Sequence, residues 1–371
     1  MTIKNITDYI EELAPLHYAE SFDNVGLLVG NYQTKVTGVL VTLDTLEDTV
    51  DEAIANNCNL IVSFHPIIFS GLKKLNGNSY VEHVVLKAIK NDIAIYATHT
   101  ALDNSKNGVS AKICKVLGLK NTQILIPKKG IIKKLTTYVP SKNADEVRKS
   151  LFKAGAGNIG NYDHCSFNIL GEGTYRGNEN SNPTLGEKGK NHTEKEIQIS
   201  VVFESKNEAN IIKALYKNHP YEEVAFEIVA TDNVHQYIGM GMIGELSSEM
   251  DEKQFLQFLK KTMKTDCVRH SKFIHKKIKK VAVLGGAGSF AIPNAIKAKA
   301  DVYVSADFKY HDFFKAENSI LLADIGHYES EQFTKNLLVD YLTEKFTNFA
   351  PTFPAGRVVL SEKSTNPIHY L

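Results

Sequence analysis

Asn59-Leu60-Ile61-Val62-Ser63-Phe64-His65-Pro66 is an apolar run closed by an imidazole and a proline. Its centre reads as a buried strand, and what lies on either side of it decides the fold. Upstream, Gly38-Val39-Leu40-Val41-Thr42-Leu43 is another buried strand, followed by a helical stretch over residues 45–57. Earlier still, Ile3, Ile6, Ile10 and Leu13 recur at helical spacing. Downstream, residues 80–90 read as a helix with Val81, Val84, Val85 and Ile89 on its inner face. Residues 93–98 read as a third strand, and residues 109–117 as a helix stopped by Gly118. Strands and helices alternating in this order predict a mainly parallel sheet covered by helices.

The rhythm changes over residues 129–235. Lys134-Leu135-Thr136-Thr137-Tyr138-Val139 and Ile197-Gln198-Ile199-Ser200-Val201-Val202-Phe203 are strand patterns, with helices expected over 144–154 and 208–216. Residues 171–191, rich in Gly and Asn, read as a long mobile loop. A β-α-β, β-α-β order predicts a small ferredoxin-like α+β module inserted into the larger domain. After Gly239-Met240-Gly241-Met242-Ile243-Gly244 the α/β rhythm returns. Lys280-Val281-Ala282-Val283-Leu284 is a strand ended by Gly285-Gly286-Ala287-Gly288, and Val302-Tyr303-Val304-Ser305 one ended by Asp307. Ile320-Leu321-Leu322-Ala323 runs up to His327, and a helix over 329–346 turns Phe333, Leu337, Leu338, Tyr341 and Phe346 inward. The fold class is therefore α/β. Two mainly parallel-sheet lobes, 1–128 and 236–371, form the metal-bearing domain, and an inserted ferredoxin-like α+β domain occupies 129–235.

The 371 residues suit two or three domains. With 43% hydrophobic and 23% charged residues the chain has the make-up of an ordinary soluble protein. A formal net charge of +1 carries no strong nucleic-acid signal. Four widely spaced cysteines, with no Cys-x-x-Cys pair, argue against a zinc ribbon or a disulfide framework. Neither a secretory signal nor an apolar run near the ~20 residues of a membrane-spanning helix is present, so a cytoplasmic protein with no membrane partner is expected.

Four side chains suggest chemistry. His65 and Asp103 close successive strand patterns, and His327 and Glu331 open the last helix at i, i+4 spacing. Imidazole and carboxylate suit a divalent cation such as zinc, iron or manganese. All four stand at strand ends or helix starts, where open α/β sheets place functional groups. Each also has a plain alternative: a packed strand-end histidine, a helix-capping aspartate, a surface pair on one helix face. The combination is what points to a shared metal site.

At these residues the chain resembles the GTP cyclohydrolase 1 type 2 homologues, also known as the Ngg-interacting-factor-three-like dinuclear metal-centre proteins. The matching segments run from Ser21-Phe22-Asp23-Asn24-Val25-Gly26-Leu27 through Phe64-His65-Pro66-Ile67-Ile68-Phe69 and His99-Thr100-Ala101-Leu102-Asp103. They continue with His219-Pro220-Tyr221-Glu222-Glu223-Val224-Ala225, Asp307-Phe308-Lys309-Tyr310-His311-Asp312 and Gly326-His327-Tyr328-Glu329-Ser330-Glu331. The resemblance implies a toroidal homohexamer with a two-metal centre facing an internal cavity, and an insert similar to PII and CutA proteins. It also implies His65, Asp103, His327 and Glu331 as ligands, with Glu331 bridging both metals.

One departure matters. The family usually carries His-His-Pro where this chain has Phe64-His65-Pro66. Phenylalanine cannot ligate, which leaves three outcomes: a second site completed by water, a substitute ligand such as His99, or a single metal. His99 also reads as a strand-end histidine, hydrogen-bonded to backbone, that orients Asp103 from behind. Asp307 and His311 are candidates to line the cavity, with packing or helix capping as the alternative. Gly285-Gly286-Ala287-Gly288-Ser289 lacks the ending of a P-loop and is expected to be a tight turn that opens room for substrate. Residues 219–223 are expected to form a turn of structural or intersubunit role.

Two functions fit these residues. One is a metal-dependent hydrolase on a nucleotide-like or phosphate-bearing compound, with His99 passing a proton to the leaving group. The other is a non-catalytic hexameric metal-binding scaffold or regulatory protein whose insert senses a small-molecule ligand.

Overall fold

The computed structural model describes residues 1–349 and 358–371. Met1–Pro127 and Gln236–Leu371 together form one compact unit, and Lys128–His235 forms a second. Among the described residues no helix is long and apolar enough to cross a membrane.

The first unit holds two sheets. A five-stranded sheet runs in the order Gly26–Val29, Ala94–Ala97, Leu60–Ser63, Val39–Thr42, Val358–Leu360. Its last four strands are mutually parallel, and Gly26–Val29 is antiparallel at the edge. The six-stranded sheet runs Arg269–His270, Leu321–Asp324, Val302–Ala306, Lys277–Ala287, Gly239–Asp251, Lys120–Pro127. Here only the Lys277–Ala287, Val302–Ala306 and Leu321–Asp324 strands are parallel to one another; every other neighbour is antiparallel. The expectation of a mainly parallel second lobe is thus corrected. Its source is the Gly239–Asp251 strand, a stretch assigned no element from the sequence, which pairs directly with Lys120–Pro127, Gly239 opposite Pro127.

Side-chain alternation sorts these strands into layers. Val39, Val41, Leu60, Val62, Ala94 and Tyr96 face a core that also holds Val281, Val283, Val302, Val304, Leu321 and Ala323 of the other sheet. The residues between them face outward-lying cores: Leu40, Ile61 and Ile95 on one side, Ala282, Tyr303 and Leu322 on the other. Both sheets are buried on both faces, which is why their central strands are almost wholly apolar. Helices Ile3–Leu13, Val109–Val116, Glu252–Thr262 and Thr334–Phe349 fill the shared core with residues at three- and four-residue spacing, among them Ile3, Ile6, Ile10, Leu338, Leu342 and Phe346.

The last helix differs from its sequence reading. A short helix His327–Glu331 precedes Thr334–Phe349, and at the break the Gln332 side chain donates to the Met263 carbonyl. Leu338 and Phe346 are fully buried as expected, whereas Phe333, Leu337 and Tyr341 are only partly so.

The second unit has the chain order Ile132–Pro140, Ala144–Lys153, Phe167–Arg176, Asn191–Glu204, Glu208–Asn218, Phe226–Ala230. Its four strands form an antiparallel sheet in the order Phe167–Arg176, Asn191–Glu204, Ile132–Pro140, Phe226–Ala230. Leu135, Val147, Leu151, Ile199, Ile211 and Leu215 form the core between sheet and helices. The loop expected over 171–191 is shorter, because residues 171–176 continue a strand in register with 191–196. The glycine there serves packing: a Cβ on Gly173 would stand 2.2 Å from the Glu196 carboxylate.

Candidate metal centre

Five polar side chains follow the C-terminal ends of neighbouring parallel strands: Asp44, His65 and His99 in the first sheet, Asp307 and His327 in the second. Opposed ends of two sheets sharing one core bring them together. Gly326, at φ 89°, turns the chain sharply out of Leu321–Asp324 so that His327 begins a helix. Glu331 then lies one turn further along the same helix face.

His65, His327 and Glu331 each offer a donor atom within 4.8 Å of the others. Oε2 of Glu331 lies 3.1 Å from Nε2 of His65 and 3.2 Å from Nε2 of His327. Glu331 is only 3% exposed, and among the described residues its buried Oε2 has no donor aimed at it in hydrogen-bond geometry. Behind the rings, His65 Nδ1 donates to Asp44 at 2.7 Å and His327 Nδ1 donates to Asp307 at 2.7 Å. That carboxylate–imidazole pairing fixes each ring and leaves the Nε2 of a neutral ring as a lone pair aimed forward. Two nitrogen lone pairs and one orphaned carboxylate oxygen around a single point suit a divalent cation.

The electrostatics agree. Burial works against a charged His65, but its hydrogen bond to Asp44 and the Glu331 carboxylate raise it to about 10. His327, opposed by burial and favoured by Asp307 and Glu331, is raised to about 11. Burial disfavours ionised Glu331, yet His327 and His65 hold it down at about 2. Asp103 goes the other way: burial, then the negative charge of Glu331, pushes it well above the usual carboxylate range. These opposed shifts mark a pocket in which two imidazoles and two carboxylates share protons at close range, and a cation held there would compete with those protons.

The remaining sequence candidates fall into place around this group. Asp103 does not close a strand; it ends the short helix His99–Asp103, which follows the strand Ala94–Ala97. It stands beside the three-residue group and feels the charges of Glu331, His65 and His327, but is not among the atoms that converge most closely. His99 lies with its ring 5.4 Å from that of His65, and its Nδ1 donates to Asp23 at 2.8 Å. Asp23 also accepts from the backbone and hydroxyl of Thr100, and is lowered to about 2 by the His99 and Thr100 hydrogen bonds against the penalty of burial. Both His99, at φ 25°, and Asp307, at φ 57°, sit in the left-handed region that non-glycine residues seldom occupy, as strained functional positions often do. His311 is exposed, with its ring edge-on to Tyr310 at 5.2 Å.

Phe64 is fully buried, its ring 4.8 Å from that of His65 and 5.6 Å from that of His99. It shapes the wall and donates nothing. The glycines of Lys277–Ala287 correct the expected substrate turn: a Cβ on Gly286 would stand 2.4 Å from Glu331 Oε1, so the cleared space holds Glu331. Sequence reading missed Asp44 and assigned no role to Asp23. Asp44 obeys the same strand-end rule as His65, but Asp44-Thr45 ahead of a helix resembles ordinary capping chemistry.

Comparison with known proteins agrees over the whole chain. Residues 1–367 match the family model described as Duf34/NIF3 (NGG1p interacting factor 3). The GTP cyclohydrolase 1 type 2 homolog of Bacillus subtilis is 35% identical over 374 residues, spanning 99% of this chain and 98% of its own. The homolog of the same name from Staphylococcus epidermidis is 33% identical over the full length of both. A crystal structure of a Bacillus cereus protein related to NIF3 is similar at TM-score 0.79 and 36% identity, covering 100% of this chain and 99% of that one. A Staphylococcus aureus protein is similar at TM-score 0.79 and 30% identity with the same coverage. The chain belongs to the Duf34/NIF3 family.

Proposed function

We propose that this protein binds divalent metal through His65, His327 and Glu331, with Asp103 completing the donor set, and uses it to hydrolyse a nucleotide-like or phosphate-bearing substrate. The observation that carries the reading is the orphaned Oε2 of Glu331 between two imidazoles held from behind by Asp44 and Asp307. When bound, such a cation supplies Lewis acidity and lowers the pKa of water toward neutrality. The chain's own residues do the rest. Asp44 and Asp307 keep the His65 and His327 rings oriented. His99, anchored through Nδ1 by Asp23, presents Nε2 as the group that transfers a proton to the leaving group. Buried Phe64 helps exclude water on that side.

The test is metal-loaded protein assayed against nucleoside triphosphates and a range of phosphoesters. Turnover that disappears on chelation, and in Asp103→Ala and Glu331→Ala variants, is expected. Absence of turnover across that panel overturns the hydrolase reading.

Phe64, standing where a second imidazole donor is usual, favours one alternative: metal that only holds the two sheets of the first unit together. A large fall in melting temperature with chelator, without turnover, would support it. The β-α-β-β-α-β order of the second unit supports a ferredoxin-like module. A homohexamer is the assembly we propose, testable by sedimentation velocity.

A further inference from the structure

A cavity of about 720 Å³ lies within the second unit, independent of the metal residues. Its size falls in the range of roughly 300–1,000 Å³ usual for small-molecule sites. The rings of Tyr138, Tyr175 and Tyr221 and the side chain of Ile169 give it an aromatic and apolar wall. Four glutamates line it against a single arginine, Arg176, so its field is negative.

The polar centre of the cavity is Glu196. This side chain is 8% exposed, and its Oε1 accepts a 2.6 Å hydrogen bond from the Tyr221 hydroxyl. Burial and the carboxylate together push the Tyr221 hydroxyl upward, which keeps it the donor. Glu196 Oε2 takes no hydrogen bond among the described residues, and it occupies the space that Gly173 leaves by lacking a Cβ. Tyr221 is held in turn by Tyr175, whose ring meets it edge-on at 5.6 Å, and by His219, which accepts from the Tyr221 backbone N–H at 3.1 Å. The connecting segment 177–190 is tied down beside the cavity. Asn182 N–H donates to Glu222 at 2.6 Å, Thr184 Oγ1 to the Pro220 carbonyl at 2.7 Å, and Tyr175 Oη to the Leu185 carbonyl at 3.0 Å.

We infer that this cavity binds a small organic cation, a primary amine with an apolar or aromatic body. The ammonium group pairs with the open oxygen of Glu196, and the tyrosine rings supply the cation–π and stacking surface. Glu196 lines the cavity with one acceptor oxygen open, which a positively charged N–H donor matches best, and tyrosine faces favour cations over anions.

Phenethylamine, phenylacetate and 2-phenylethanol share one skeleton and differ in charge, so calorimetric titration of the full-length protein with each is decisive. Phenethylamine is expected to bind roughly tenfold or more tighter than either of the others. Glu196→Gln should remove that advantage, and Arg176→Gln should leave it intact or enlarge it. Gly173→Ala, which displaces the same carboxylate without deleting it, gives the same loss should Glu196→Gln fail to fold. Three results overturn the proposal: no binding of the amine, equal binding of the alcohol, or tighter binding of phenylacetate that Arg176→Gln abolishes.

Discussion

Glu331 in the first unit and Glu196 in the second are both buried side chains whose Oε2 takes no hydrogen bond among the described residues, yet their surroundings differ in chemistry. Glu331 faces two imidazole nitrogens whose rings are fixed by Asp44 and Asp307. Glu196 faces a phenol hydroxyl and aromatic rings. Imidazole lone pairs suit an ion that accepts coordination from nitrogen; tyrosine faces suit a soft, weakly hydrated organic cation. The lesson is that a buried acid says only that positive charge is wanted. Its neighbours decide what carries that charge.

The largest test of this contrast is to remove each carboxylate in turn. Glu331→Ala should weaken zinc binding by roughly a hundredfold or more in a competition titration with a chelator, since a donor is lost outright. Glu196→Ala should leave zinc affinity unchanged. Equal losses in both variants would erase the distinction between the two sites.

Orientation comes next. Asp44→Asn and Asp307→Asn keep the imidazoles but loosen their tautomer and direction, so each should cost roughly 10–100-fold in zinc affinity. Wild-type affinity in both would show that the carboxylate–imidazole pairs are incidental. A smaller effect concerns Phe64. With no donor there, a second zinc equivalent should bind about tenfold or more weakly than the first, and two equally tight equivalents would contradict the single-centre geometry.

The smallest expected effect is a pH dependence confined to the second unit. Glu204 lies below its ordinary value of 4.5, at about 2, because His235 and Lys206 favour its charged form more than burial opposes it. A carboxyl lowered on folding adds stability above pH 4.5 that is lost as pH falls toward about 2. Glu204 is partly exposed, so the loss should be only ~1 kcal/mol. Protection factors for amides in Ile132–Pro140 and Asn191–Glu204 of the full chain should fall over that interval, and Glu204→Gln should flatten the fall.

Much of the architecture was legible from one dimension. The strands at 60–63 and 302–306, and the helix at 80–90, could be read because runs of buried residues and three-to-four spacing are local signals. So could the placement of His65 and His327 beyond strand ends. The strand Val358–Leu360 was not legible, because three apolar residues acquire meaning only when Val39–Thr42 lies alongside. The continuation of a strand through Gly171 and Gly173 was hidden for the same reason: its evidence is a ladder of backbone bonds to residues 191–196.

Which residue types this protein would bring to a metal was determined by sequence alone, since donor chemistry belongs to the side chain. Tertiary structure decided how they are held. Asp44 is 21 positions from His65, and Asp307 is 20 from His327. Each reaches its imidazole only because adjacent parallel strands end side by side. The clearing at Gly286 makes sense only once Glu331 occupies it. Hydrogen bonds and steric exclusion act over a few ångströms of space, and the order of residues along a chain does not specify that distance until the sheets have formed.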